Sequence, residues 1–395
     1  MRKSSAQFLF LGTMLAAAGY GATFLLSAYY RAHGGSDLDT GTTLGAAMLG
    51  TFIGVPLVGW FSGRFDAARL SAIASCAVGC GFLLLAFSTG GTLAVSLTSG
   101  VLVGLGWGMF YVGAPMSLSE RVTDSDRGFW FTRFGAFQMA GIGGGPLVLN
   151  LAVDQAGLSI ETTFRLVGFA CLVAGLSLWV FSTLAPGAPR SFSLRSWVRP
   201  IGVIARSASV RPILMVGFGA CVFSGLLTFQ SSLVAGTSAK ASTFFAVYAI
   251  TVVAGRLLLA RTLASLPQDQ LAAGLLVSMT LGVVAMFGVG FHPAFQILSA
   301  VLTGIGYGLV YSVIQTWAVN DTEAKYRHAA LTWFVLSYFI GVFGFPVIGG
   351  WMLVHLGRSA FLGALLVAAL SELAILYGGR SKASDGARLT SKTAG

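Results

Sequence analysis

Arg133 and Arg256 are the two charged residues that fall within otherwise apolar sequence. A guanidinium in such a place could hold an anionic solute, because its planar fork matches carboxylate and phosphate. The competing use is structural: a long side chain that reaches the membrane surface or pairs with an acidic loop residue. Arg133 lies near the start of its apolar segment, which favours the structural use. Arg256 lies about two-thirds of the way along its own, a depth at which the structural use still competes with a role at an inner gate or an anion contact. Other chemistry is sparse. Cys76 and Cys80 are spaced i, i+4, with Cys171 and Cys221 elsewhere, and no His or carboxylate joins them at metal-ligand spacing. The Gly-x-Gly runs follow no strand and no Gly-Lys-Ser/Thr loop occurs, so nucleotide phosphates have no cradle. No catalytic residue, no metal and no cofactor is expected; this is not an enzyme.

Uncharged polar and aromatic groups at mid-depth in apolar segments include Tyr20, Trp107, Tyr111, Gln138, Phe218, Tyr248, Tyr307, Tyr311, Gln315 and Tyr338. Rings with polar tips suit a cavity for a mostly apolar or zwitterionic solute. The competing use is packing, with Gly104, Gly106 and Gly108 seating one helix on its neighbours.

These groups must be positioned by membrane-spanning helices. The 395 residues are 55% hydrophobic and 9% charged, with a mean hydropathy of +0.82; a soluble domain carries roughly a quarter charged residues. Ser4–Tyr30, Thr40–Gly63, Leu166–Pro189, Pro212–Ala239 and His328–Gly357 hold no Asp, Glu, Lys or Arg, and Leu70–Ser119 and Gln270–Asn320 are uncharged over twice the length of a span. About 20 apolar residues cross a bilayer, and lipid requires backbone groups to be satisfied internally, so the spans are helices. Twelve are expected, at about 6–30, 42–62, 70–88, 92–115, 129–153, 162–184, 212–236, 242–263, 271–290, 293–319, 329–354 and 359–378. The first is too long for a cleaved leader. Turns within the two long runs fall at 88–91 and near 291–293.

Lys and Arg set the orientation. With both termini cytoplasmic, 20 of 24 basic residues lie on the inner side, and Arg31, Arg165, Lys240 and Arg358 lie outside. The net charge of +11 is thus a topological signal in an inner (plasma) membrane protein. The basic residues are scattered over loops and form no basic face, so nucleic-acid binding is not expected.

The chain repeats itself. Val101–Tyr111 (VLVGLGWGMFY) returns as Val301–Tyr311 (VLTGIGYGLVY), and Arg127, Thr132, Phe134, Gly141 and Pro146 return as Arg327, Thr332, Phe334, Gly341 and Pro346, all at an offset of 200. Trp107/Tyr307 and Tyr111/Tyr311 are repeat pairs one helical turn apart, so each pair shares a helix face. The copies are six spans apart and parallel, a design that puts a substrate site between two halves near the midplane. The halves are 1–184 and 212–378, joined by a cytoplasmic linker at 185–211, with a disordered cytoplasmic tail at 379–395.

Over essentially its whole length the chain resembles the major facilitator superfamily. It is this resemblance that implies that the segments carrying the polar and aromatic groups, Tyr20 to Tyr338, face the centre of the molecule. After its second span that family usually carries Gly-x-x-x-Asp-Arg-x-Gly-Arg-Arg/Lys. Here Gly59, Arg64 and Arg69 fit, Gly63 replaces the carboxylate, and Asp66 stands one turn on; the resemblance gives these residues a part in the inner gate. The second-half counterpart keeps Arg261. Gly141, Gly145 and Pro146 match the family's efflux-associated pattern, Leu149 and Asn150 depart from it, and Gly341, Pro346, Gly349 and Gly350 supply the complementary half; the resemblance implies export, and close helix packing alone is the alternative. The family's proton-coupled drug exporters place an Arg where this chain has Gly100, and no carboxylate lies at the middle of a span; Glu372 is about a turn and a half from the inner end of the twelfth.

The expected fold is an all-α integral membrane protein of twelve transmembrane helices in two pseudo-symmetric six-helix bundles. The expected function is secondary transport of a small organic solute by alternating access, with export of a metabolite or drug as the leading direction and protons as a candidate coupling ion. The alternatives are an importer of a small organic, anionic solute and, more remotely, a membrane receptor that transports nothing. Partners are the lipid bilayer and a small-molecule substrate, and a monomer is expected.

Overall fold

The computed structural model describes residues 3–61, 64–88, 92–187, 201–258 and 266–393. The turn at 89–91, residues 188–200 of the linker and the Arg261 motif lie outside them. The first half contains α1 (Ser5–Ala32, interrupted by a 3-10 turn at Thr23–Leu25), α2 (Asp37–Phe61), α3 (Ala67–Phe87), α4 (Leu93–Ser119), α5 (Asp124–Asp154) and α6 (Ile160–Leu184). The second contains α7 (Val210–Thr228), α8 (Ala241–Leu258), α9 (Gln268–Phe287), α10 (Ala294–Asn320), α11 (Ala329–His355) and α12 (Gly357–Thr393). Among the described residues, eleven helices are long and apolar enough to cross a membrane, and Ala241–Arg256 is a shorter apolar helix. The eighth expected span, 242–263, is therefore described only through Leu258. α12 continues to Thr393, through the stretch expected as a disordered tail.

The doubled phrase in α4 and α10 is a packing instruction written twice. A Cβ on Gly104 would meet the Ala47 carbonyl of α2, and one on Gly106 the Ala74 carbonyl of α3. In the second half, Gly304 abuts Thr251 of α8 and Gly306 abuts Leu275 and Met279 of α9. Small residues let backbones approach closely where lipid offers no hydrophobic drive for helix association. Turns repeat as well: Gly157 (φ 65°), before α6, and Gly357 (φ 80°), at the start of α12, both take the left-handed conformation that glycine adopts without strain.

Proline is handled differently in the two halves. Pro346 cannot donate to the Val342 carbonyl, α11 widens into a π-helical turn at Ile340–Gly344, and Ser224 of α7 donates to that carbonyl at 2.5 Å. Around Pro146 the α5 helix is uninterrupted, and Gly21 of α1 lies close to both the Ile142 carbonyl and the proline ring.

Candidate functional site

A cavity of about 620 Å³ lies between the halves. Gly59, Tyr111, Gln138, Arg256, Gln315 and Thr332 mark its walls on α2, α4, α5, α8, α10 and α11. Gly59, Arg256, Gln315 and Thr332 lie near the helix ends on the side that carries the α2–α3 and α4–α5 connections, the basic end, and Tyr111 and Gln138 lie deeper. At the floor of this vestibule the Tyr111 and Tyr311 hydroxyls, one from each half, are hydrogen-bonded at 2.7 Å. Behind that bridge is a second void of about 70 Å³, walled by Phe223, Tyr248, Tyr307 and Tyr338 and sharing Tyr111, Tyr311 and Arg256 with the vestibule.

The structure thus brings together Tyr111, Gln138, Tyr248, Tyr307, Tyr311, Gln315 and Tyr338 of the expected set. Tyr20, Trp107 and Phe218 differ from expectation. Tyr20 of α1 stacks flat on Trp107, with ring centroids 4.4 Å apart, and its hydroxyl reaches that of Tyr338 at 3.3 Å. The stack buries both rings completely, so they support the wall without forming it. Phe218 sits between Gly217, which faces Ser337 of α11, and Gly219, which faces Glu372 of α12; that rotation of α7 keeps its ring off both cavities.

Arg256 is half-buried, and its Nε and Nη2 both donate to the Gly308 carbonyl of α10, at 3.3 and 3.0 Å. No carboxylate lies within ion-pair distance of it among the described residues. Arg133 is exposed, with its guanidinium 4.7 Å from the Phe129 ring centroid, which is the structural use.

The residues given a gating role by resemblance fall into two groups. At the basic end Arg64 is exposed and Gly59 lines the vestibule. Asp66 caps α3 through the Ala68 amide and accepts hydrogen bonds from Arg121 (2.5 Å) and Ser182 (2.7 Å), while Arg69 donates to Ser182 and lies over Trp179. This cluster ties α3, α4 and α6 together inside the first half. Burial raises the Asp66 carboxyl, but the hydrogen bonds and the Arg121 charge outweigh it and hold it below the usual carboxylate range. The other group is packed helix backbone. Gly141 and Gly145 of α5 abut Met14 and Ala18 of α1, and the Pro346 carbonyl of α11 abuts Gly41 of α2. The first contact is within one half, and the second joins the two.

The opposite end is shut by residues that sequence reasoning missed. Asp37 of α2 accepts from Ser27 (2.7 Å) and from Ser232 (2.9 Å), and Arg31 donates to the Ser231 carbonyl at 3.1 Å. Gly350 of α11 abuts the Asp37 carbonyl. Ser27, Arg31 and Asp37 belong to one half and Ser231 and Ser232 to the other, so this polar latch spans the two. Arg121, also missed, carried no signal but its charge at a helix end. Glu372 proves wholly buried against Gly219, with its Oε2 unpartnered.

Two six-helix halves that close on one another at one end and part around a cavity at the other are the architecture of an alternating-access membrane transporter. Residues 9–344 match the Major Facilitator Superfamily, and the chain belongs to that family. Among solved structures, a peptide transporter POT in complex with sulfate is 15% identical, with a TM-score of 0.76 and coverage of 96% of this chain and 94% of that one. A point mutant of the nucleoside transporter NupG is 13% identical, with a TM-score of 0.73 and coverage of 95% of this chain and 99% of that one. At such identities the likeness is one of fold. No curated protein matches.

Proposed function

We propose that this transporter exports a small organic solute from the compartment facing its basic end, taken as the cytoplasm from the distribution of Lys and Arg. The observation that carries the reading is the vestibule itself: it lies at the basic end, its floor is a hydrogen bond between repeat-related tyrosines of the two halves, and the opposite end is latched. Solute enters the vestibule, the Tyr111–Tyr311 bridge parts, and the halves rock until the latch opens. Seven of the ten expected cavity groups border this route. Protons are the proposed coupling ion, with Glu372 as their carrier, because a buried ionisable group in a membrane helix is a functional site by default. A second reading, import of a small organic anion, is favoured by Arg256.

Solute accumulation in intact cells, with and without the protein, tests direction. A compound that falls on expression and recovers when the proton gradient is collapsed supports proton-driven export. A compound that rises on expression contradicts export.

A further inference from the structure

We infer that the void behind the Tyr111–Tyr311 bridge is a docking pocket for a carboxylate, so that the transported solute is a small organic acid with an apolar body. This substrate class rests on the transport reading above.

Three observations converge on one volume. The polar side chains around the void are Arg256 and the five tyrosines Tyr111, Tyr248, Tyr307, Tyr311 and Tyr338. A guanidinium can only donate, and a phenol hydroxyl donates readily, so the pocket offers donors and one positive charge, with no carboxylate in its walls among the described residues. Second, Tyr307 is 8% exposed and its hydroxyl has no hydrogen-bond partner. Buried polar groups are nearly always satisfied, and an orphan hydroxyl on the wall of a void marks the place of an absent acceptor. Third, Arg256 spends two donors on one backbone carbonyl and has no ion-pair partner among the described residues. A cation held at membrane depth is costly unless an anion or carbonyls compensate it.

Size divides the labour. One water needs roughly 10–15 Å³ of cavity volume, so the void of about 70 Å³ seats a few water-sized groups, enough for a carboxylate and a short stem. The vestibule, about 620 Å³ with Val55, Pro115, Met116, Phe131 and Val335 in its walls, takes the apolar body. The Tyr111–Tyr311 bridge separates the two, so a docking acid must replace that hydrogen bond with its own. Arg256, bordering both spaces, can follow the carboxylate from one to the other.

Titration calorimetry of the purified full-length protein tests this with matched acids and amides: acetate against acetamide, and benzoate against benzamide, with chloride and inorganic phosphate as further probes. The expected result is binding of both acids, tighter for benzoate, and at least tenfold weaker binding of both amides. Arg256→Gln should weaken the acids at least tenfold, Arg256→Lys less, and Tyr307→Phe several-fold; the lysine variant guards against a folding defect. Equal binding of acids and amides overturns the inference, as does acid binding retained in Arg256→Gln, binding of chloride or phosphate alone, or no binding by any probe. Acid binding without transport contradicts the transport reading and leaves the pocket standing. Transport of uncharged solutes without acid binding does the reverse.

Discussion

At the scale of single residues, the bridge between Tyr111 and Tyr311 is the contact most open to test. A hydrogen bond contributes about 0.5–1.5 kcal/mol net, so Tyr111→Phe and Tyr311→Phe should each change the transport rate by up to about tenfold, in the same direction. Without solute, the double variant should lower thermal stability no more than either single one, because each removes the same bond; additive losses would show that the hydroxyls act apart. Asp66 makes a second residue-scale prediction. Its carboxyl is held below the usual range, so the folded state binds fewer protons there than the unfolded chain. The stabilisation is present above the unfolded pKa, about 3.9, and is lost as pH falls through the folded value. Thermal stability in detergent should therefore fall more steeply below about pH 4 in the native protein than in Asp66→Asn. That variant should be less stable by about 1.5–3 kcal/mol at neutral pH, the worth of a hydrogen bond to a charged group, because Glu120 still pairs with Arg121 at 3.4 Å. The tyrosine pair was legible in the sequence because the 200-residue repeat names both partners. The Asp66–Arg121 pair was not, since 55 residues and two helices separate its members and no pattern joins them.

At the scale of helices, the glycines set how closely neighbours lie, and the two copies of the repeat should not tolerate change equally. A Cβ on Gly104 would overlap the Ala47 backbone, whereas one on Gly304 meets Thr251 side-chain atoms at 3.1 Å. Gly104→Ala should thus reduce folded protein in the membrane far more than Gly304→Ala; equal yields would contradict the packing assignment. Helix existence was legible from uncharged length alone, and the helix faces from the glycine spacing. What the pattern left open was rotation about each axis relative to its neighbours. Trp107 and Tyr111 share a face of α4, yet Tyr20 of α1 covers one and leaves the other at the cavity. Glu372 was read by its distance from a helix end, and only the packing of α12 on α7 buries it. Glu372→Gln should uncouple transport from the proton gradient while leaving downhill movement of solute; unchanged gradient dependence would exclude Glu372 as the carrier.

At the scale of the whole molecule, function depends on two ends that cannot be open together. The latch of Asp37, Ser27 and Ser232 and the close approach of α2 to α11 at Gly41 and Gly350 hold one end shut while the vestibule stands open at the other. Gly350→Ala should wedge α11 away from the Asp37 backbone and bias the protein toward opening at the latched end. Thr40→Cys, at a wholly buried position on α2, should then react faster with a membrane-impermeant maleimide in a background free of other cysteines. The two-half plan was legible in the sequence because the halves repeat; the state in which they rest was not, because the latch is made by loop-end residues that the repeat does not copy. The most direct test of the central claim is the accumulation of a mixed small-metabolite panel in intact cells expressing the native protein or Arg256→Gln at equal membrane abundance. At least one small organic acid should fall in level with the native protein and not with the variant. A panel indifferent to the native protein would contradict transport, and an acid that rises on expression would contradict export.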